Sequence, residues 1–244
     1  QREFAETIQK SADSLLTIIN DILDYSKIEA GKVDLEIIDF DLRFTLDEVS
    51  DLVALKAHEK GLEFINMIQH KVPSLLCGDP GRLRQILINL AGNAIKFTPK
   101  DGCVKVKVGE DESHEGFVRV VVDDDGIGIP PDAVSHVTER YYTVGDQPSG
   151  SGLGLAISKE IVGMHDGELE VQSPVPGTKV GTRISYRLPI AEPPTVLIVD
   201  DDPAVLRSLD EQIVEHGYRV LAARGGEEAL VLVESESPDV VILD

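Results

Sequence analysis

The sequence predicts an α+β fold in three consecutive parts: a helix over residues 1–31, an α/β sandwich over 33–190, and part of a doubly wound α/β domain over 195–244. Three observations lead there. Apolar residues recur at helical spacing in the first thirty positions. Helical and strand patterns then mix, with strand pairs side by side, up to residue 190. After a proline-rich joint at 189–194, a buried strand pattern alternates strictly with helical ones.

The first helix rests on Ile8, Ala12, Leu15, Ile19 and Ile22, spaced alternately by four and three with polar residues between them. That spacing is a coiled-coil-like seam, with a plain amphipathic core helix as the simpler alternative. Gly31 ends it, because glycine accepts the left-handed conformation found just past helix ends. A strand is expected from Leu35 and Ile37 to Phe40, a helix from Leu42 to Lys60 closed by Gly61, and a strand from Leu62 to Gln69. Pro80 to Phe97 reads as a helix with Leu83, Ile86, Leu87, Leu90 and Ala94 on one face. Val104, Val106 and Val108 alternate with lysines, and Phe117 to Val122 is a second β-rich run, so the two are expected to pair antiparallel. A helix over Leu153 to Met164 and strands near Glu168 to Gln172 and Thr182 to Leu188 complete one mixed sheet covered on one face by helices.

The linker 189–194 holds three prolines and is stiff. Beyond it, Thr195 to Val199 is a buried strand that runs into Asp200, Asp201 and Asp202. A helix to His216, a strand over Tyr218 to Ala222, a helix over Gly225 to Glu234 and a strand to Asp244 continue a βαβαβ pattern.

Composition narrows the function classes. Lys and Arg total 23 against 44 Asp and Glu, a formal charge of -21, so nucleic acid and anionic membrane surfaces are poor partners. The two cysteines, Cys77 and Cys103, lack metal-ligand spacing and are too few for a disulfide scaffold. No apolar run approaches the roughly 18 residues that span a bilayer, and a cytoplasmic location is expected. A sensor that anchors the parent in a membrane remains compatible with that. The chain lacks an initiator Met and stops within a strand-like run, so a segment of a longer protein is expected.

Four stretches read together as one nucleotide site. Asp124 follows an apolar strand and can accept a hydrogen bond from an adenine amine, while Gly126 and Gly128 remove side chains where base and backbone would collide. Taken alone, Asp-x-Gly-x-Gly is also an ordinary turn. Asn89, Asn93 and Lys96, spaced by four and three, share a helix face. Gly150, Gly152 and Gly154, with Leu153 between the last two, precede a helix whose unpaired amides can point at phosphates. Their G-x-G-x-G spacing does not fit a dinucleotide-binding βαβ unit. Pro130 to Ser149 has the length and polarity of a lid.

These stretches resemble, in order and spacing, the N, G1 and G2 boxes of the sensor histidine kinase catalytic domain, which binds ATP in a Bergerat-type sandwich. Asn20 to Gly31 is similar to the end of the second dimerisation helix of hybrid histidine kinases, and 195–244 resembles the first half of a receiver domain. The resemblance implies that Asn89 carries magnesium through its amide oxygen, that Asn93 contacts phosphate or the metal shell, and that Lys96 offsets phosphate charge. It also implies that Asp200 and Asp201 bind a receiver magnesium and that Asp244 accepts phosphate. The reaction implied is transfer of the ATP γ-phosphoryl group to a histidine, then to a receiver aspartate. The implied partners are the dimerisation-domain histidine of the same or a partner kinase and a receiver or phosphotransfer protein, with a homodimeric parent.

Three departures stand out. The acceptor motif His-Glu/Asp-x-Arg surrounds none of His58, His70, His114, His136, His165 and His216, so this chain is expected to bind ATP without labelling itself. In the lid, Thr138 and Tyr141 stand at the family's two Phe positions, and Thr cannot fill an aromatic socket. Met164-His165-Asp166-Gly167 also differs from the family's commoner pattern, and His165 is given no role. The alternatives are a degenerate nucleotide-sensing scaffold and another ATPase of the gyrase, heat-shock or mismatch-repair type.

Overall fold

The computed structural model describes residues 2–144, 151–190, 194–215 and 218–243. The chain forms two compact units, residues 1–190 and 191–244.

In the first unit, α1 (Arg2–Glu29) ends where Gly31 turns left-handed at φ 61°, and the Gly31 amide donates to Ile28 O at 2.9 Å. The expected seam is uncovered: Ile8, Leu15, Ile19 and Ile22 are exposed, and among the described side chains of the helix Tyr25 and Ile28 are the ones that meet the core. Strand β1 (Ile38–Asp41) starts later than expected from Leu35, because pairing begins only where Ile38 faces Gly78. Its partner, β3 (Leu75–Gly78), is a strand absent from the sequence reading; four residues between Pro73-Ser74 and Gly78 carry too little periodicity to reveal it.

Helix α2 (Leu42–Lys60) has a cap at each end. Asp41 Oδ1 accepts from the Arg43 and Phe44 amides at 2.7 and 3.1 Å, and Gly61 closes the helix at φ 73°. Strand β2 (Glu63–Ile68) follows, and α3 (Pro80–Phe97) begins with Asp79 as N-cap and Pro80 in the first turn, where a missing N–H costs nothing. Then come β4 (Cys103–Glu110), β5 (Phe117–Asp124), α4 (Gly154–Met164), β6 (Leu169–Gln172) and β7 (Thr182–Pro189).

The five-stranded sheet has the order β2-β4-β5-β7-β6, with β2 parallel to β4 and the other pairs antiparallel. It is mixed, as expected. Rows such as Val106–Val122–Ile184 and Val108–Val120–Tyr186 line one face, where Leu83, Ile86 and Leu90 of α3 and Ile161 of α4 join the same core. The opposite face carries Lys107, Asp123 and Arg183, joined as ion pairs.

The second unit contains β8 (Thr195–Val199), α5 (Pro203–Glu215), β9 (Arg219–Ala223), α6 (Gly226–Glu236) and β10 (Val240–Leu243), with a parallel order β10-β8-β9. Every residue of β8 is buried, packed by Ala229 on one side and Leu206 on the other, whereas β10 is exposed along its length. Residues 191–193 of the expected linker and His216 lie outside the described residues. No described helix is long and apolar enough to cross a membrane.

Candidate nucleotide site

Helix α3 buries its leucine and isoleucine stripe, which leaves Asn89 and Asn93 half-buried on its flank against α4. Asn89 Nδ2 donates to the Ser158 hydroxyl of α4 at 2.8 Å, and Asn93 Nδ2 approaches Asn89 Oδ1 at 3.4 Å. Gly154 allows this closeness: a Cβ there would stand 2.9 Å from Asn89 Nδ2 and nearer still to its oxygen. Helix α4 begins without a side-chain cap and without an acidic residue in its first turn, so its amide ends and its dipole favour an anion. Leu153 is fully buried, and its amide donates to Ser151 Oγ at 3.2 Å; its side chain anchors the helix start in the core. Gly150 lies outside the described residues.

At the C-terminal end of α3, the glycine loop after β5 is tied down. Ile127 N–H reaches Phe97 O at 3.3 Å, and a Cβ on Gly126 would come within 2.7 Å of the same oxygen. Gly128 adopts φ 74°, open to glycine at little cost. Asp124 Oδ1 accepts from the amides of Gly126 (2.9 Å) and Thr182 (3.1 Å), which leaves Oδ2 for an incoming donor. Burial pushes the Asp124 carboxyl above the usual range, only partly countered by those two amides, while Asp125 and Asp123 push the same way as burial. Lys96 is exposed near the C-terminal end of α3, its ammonium 4.8 Å from the Phe97 ring, and partial burial lowers its pKa.

The lid is described as far as Val144. Ala133 and Val137 are buried, but Tyr141 is 64% exposed and fills no socket; its backbone is left-handed at φ 59° and its amide donates to Gly152 O at 3.0 Å. Thr138 lines a cleft of about 420 Å³ with Tyr25, Arg140, Ala156, Lys159 and others, in keeping with a side chain too small for an aromatic position. That cleft does not include Asp124 or Asn89.

Several residues that organise the site had no visible signal in the sequence. Arg140 of the lid pairs with Glu29 at 2.7 Å and lies 4.7 Å over the Tyr25 ring, both on α1. Ser151 Oγ donates to Asp21 Oδ2 at 2.7 Å, and Gln85 of α3 donates to Asp24 at 2.8 Å. His165, given no role above, is a buried clamp. Its Nε2 accepts from the Asp79 amide at 2.9 Å and its Nδ1 donates to Ile161 O at 2.8 Å, joining the start of α3 to the end of α4.

The asparagine oxygen, next to the space left by Gly154, fits the way magnesium takes few protein oxygens and completes its shell with water and phosphate. In the second unit Asp200 is buried, with Oδ1 accepting from the Asp202 amide at 2.7 Å, and Asp201 is exposed. Asp244 lies outside the described residues, and among the described ones no group of three or more His, Cys, Asp or Glu could hold a metal.

Residues 78–192 match the family of histidine kinase-, DNA gyrase B- and HSP90-like ATPases. Residues 196–244 match the response regulator receiver domain, and residues 1–31 the His Kinase A phospho-acceptor domain. The sensor protein GacS of Pseudomonas syringae pv. syringae is 44% identical over 78% of this chain and 22% of its own length. The signal transduction histidine-protein kinase BarA of Escherichia coli K12 is 43% identical over 71% of this chain and 19% of its own length. The chain thus spans about a fifth of these relatives. Among solved structures, full-length ShkA in complex with AMPPNP superposes with a TM-score of 0.67 at 31% identity, over 95% of this chain and 50% of that one. The mycobacterial sensor histidine kinase MprB does so at 0.54 and 31% identity, over 63% of this chain and 97% of that one.

Proposed function

The chain belongs to the hybrid sensor histidine kinases, and we propose that its first unit holds magnesium-ATP so that the γ-phosphoryl group can pass to a histidine and then to a receiver aspartate. The observation that carries this reading is the meeting of Asn89 with Ser158 and Gly154 of the uncapped α4, with Asn93 beside it, about one to two turns along α3 from Phe97, which holds the glycine loop of Asp124. The AMPPNP bound by ShkA supports an adenine nucleotide as the ligand.

Each residue then has a task that its surroundings permit. Asp124 Oδ2 accepts from the adenine amine, with Oδ1 already fixed by two amides. Gly126 and Gly128 keep the base close to the backbone. The start of α4, with the amides of Gly152 and Gly154, would face the phosphates, Leu153 anchoring the turn while its own amide goes to Ser151 Oγ, and Lys96 would offset their charge. Asn89 Oδ1 would hold the magnesium ion, which when bound neutralises phosphate oxygens, and Asn93 stands beside it. Because phosphoryl transfer depends mainly on alignment and charge, the protein's contribution is to hold the γ-phosphorus in line with an acceptor nitrogen. In the second unit Asp200 and Asp201 would hold a magnesium ion, and Asp244 would accept phosphate.

The partners are a dimerisation-domain histidine, of the same or another kinase, and a receiver or phosphotransfer protein, in a homodimeric parent. Given labelled ATP, this 244-residue chain alone should acquire no phosphohistidine, whereas an added dimerisation domain bearing His-Glu/Asp-x-Arg should be labelled. The exposed Tyr141 and the small Thr138 favour a second reading, a nucleotide sensor without transfer. Tight nucleotide binding with no label on the added domain would select it.

A further inference from the structure

We propose that Ser158 is a positioning residue that sets which end of the Asn89 amide faces the metal; this rests on the magnesium-nucleotide reading above. An asparagine amide has two ends of nearly equal size and opposite chemistry, and its terminal torsion is soft. Only the oxygen end can bind a cation. The sequence does not say which way Asn89 turns, but its surroundings do.

Ser158 is 1% exposed, in the middle of α4, where alanine would be the better helix former. Its hydroxyl oxygen takes the Asn89 Nδ2–H at 2.8 Å. Gly154 lies one turn earlier on the same face, and its missing Cβ leaves the amide room to reach Ser158. On the other side, Asn93 Nδ2 stands 3.4 Å from Asn89 Oδ1, too long for a strong bond but a donor, which reads the oxygen and repels the nitrogen. The two contacts agree: nitrogen is held by Ser158, and oxygen faces Asn93 and the space left by Gly154 with a lone pair to spare.

A hydroxyl alone would not decide this, since it can donate or accept. Asn93, likewise a two-ended amide, presents its donor to the Asn89 oxygen, and Ser158 supplies the short bond that holds the pair in this arrangement. Ser158→Ala removes that bond with one oxygen atom and no change in helix preference that would harm folding. The amide is left to rotate, and the oxygen is presented for only part of the time.

The test uses the full 244-residue chain and AMPPNP in calorimetry, once with excess magnesium and once with EDTA. A net hydrogen bond of about 0.5–1.5 kcal/mol predicts a roughly two- to tenfold loss of affinity for Ser158→Ala in magnesium. Affinity in EDTA should be unaltered, and in an Asn89→Ala background Ser158→Ala should cost nothing further in either buffer. Equal loss in both buffers, no loss in magnesium, or a further loss in that background would each overturn the proposal. A second readout needs no ligand: the Asn89 side-chain NH2 resonances, identified by their disappearance in Asn89→Ala, should be slow to exchange in the parent and fast in Ser158→Ala. Unchanged exchange would equally sink the orienting contact. A parent chain that binds no AMPPNP in either buffer would instead remove the nucleotide reading, and the purpose of the contact with it.

Discussion

Asp123 and Asp124 are neighbours on β5 that point to opposite faces of one sheet, and they are held in opposite ways. Asp123, on the face away from the helices, accepts two hydrogen bonds from Arg183, at 2.6 and 2.9 Å, and one from Lys107 at 3.0 Å. Burial alone would raise its pKa, but these cations outweigh burial and hold it below the usual carboxylate range. Asp124, on the helix-covered face, has backbone amides as partners and, among the described residues, no cation hydrogen-bonded to it, and burial holds its pKa above that range. The same side chain, one residue apart, is satisfied structure on one face and unspent binding capacity on the other.

The sharpest way to break this contrast is to remove each charge in turn. Asp124→Asn should lower ATP affinity by at least about tenfold, since a charged hydrogen bond in a sheltered site is worth roughly 1.5–3 kcal/mol. Asp123→Asn should leave calorimetric affinity unchanged, and similar losses from both would erase the distinction. In urea unfolding the order reverses. Asp123→Asn should cost about 1–3 kcal/mol, because Arg183 is left half-buried with its partner neutralised, while Asp124→Asn should cost little.

Acidification should separate the two residues along the pH axis. The depressed pKa of Asp123 contributes stability that is present above its unfolded value and lost as pH falls through the folded one. For Asp124 the sign is opposite: its raised pKa favours folding at low pH, and that contribution is lost as pH rises through the folded value. On lowering the pH from neutral, Asp124 takes up its proton first, so nucleotide affinity should weaken while the Asp123 ion pairs still hold. A titration in which unfolding precedes the loss of affinity would contradict that order. The smallest effect belongs to Lys107→Met. Its side chain is more than a third exposed, and the change should cost under about 1 kcal/mol in the same urea assay.

How much of this could be read from the chain depended on distance in sequence. Helix α2 was legible because Asp41 and Gly61 mark its ends locally, and Asp124 because its glycines follow within four residues. The expected helix over Pro80 to Phe97 coincides with α3, whose cap and apolar stripe lie within its own span. Strand β3 was missed because it is four residues long and its pairing partner lies some thirty-five residues earlier. Ser158, Thr182 and His165 gave no sign at all, since their partners Asn89, Asp124 and Asp79 are 69, 58 and 86 residues away. The exposed seam of α1 was correctly seen as apolar, but periodicity cannot tell a buried stripe from one left open.

The contacts of α1 also fix its angular phase. Asp21, Asp24, Tyr25 and Glu29 lie at steps of three, one and four, a single face of the helix, and they hold Ser151, Gln85 and Arg140. Each residue of an α-helix advances about 100°. A twist of α1 by that amount would carry all four side chains away from their partners together, releasing the glycine loop, α3 and the lid in one movement. The helix therefore has one rotational setting, and torque applied to it would be delivered to the loop before α4, to α3 and to Arg140 at once.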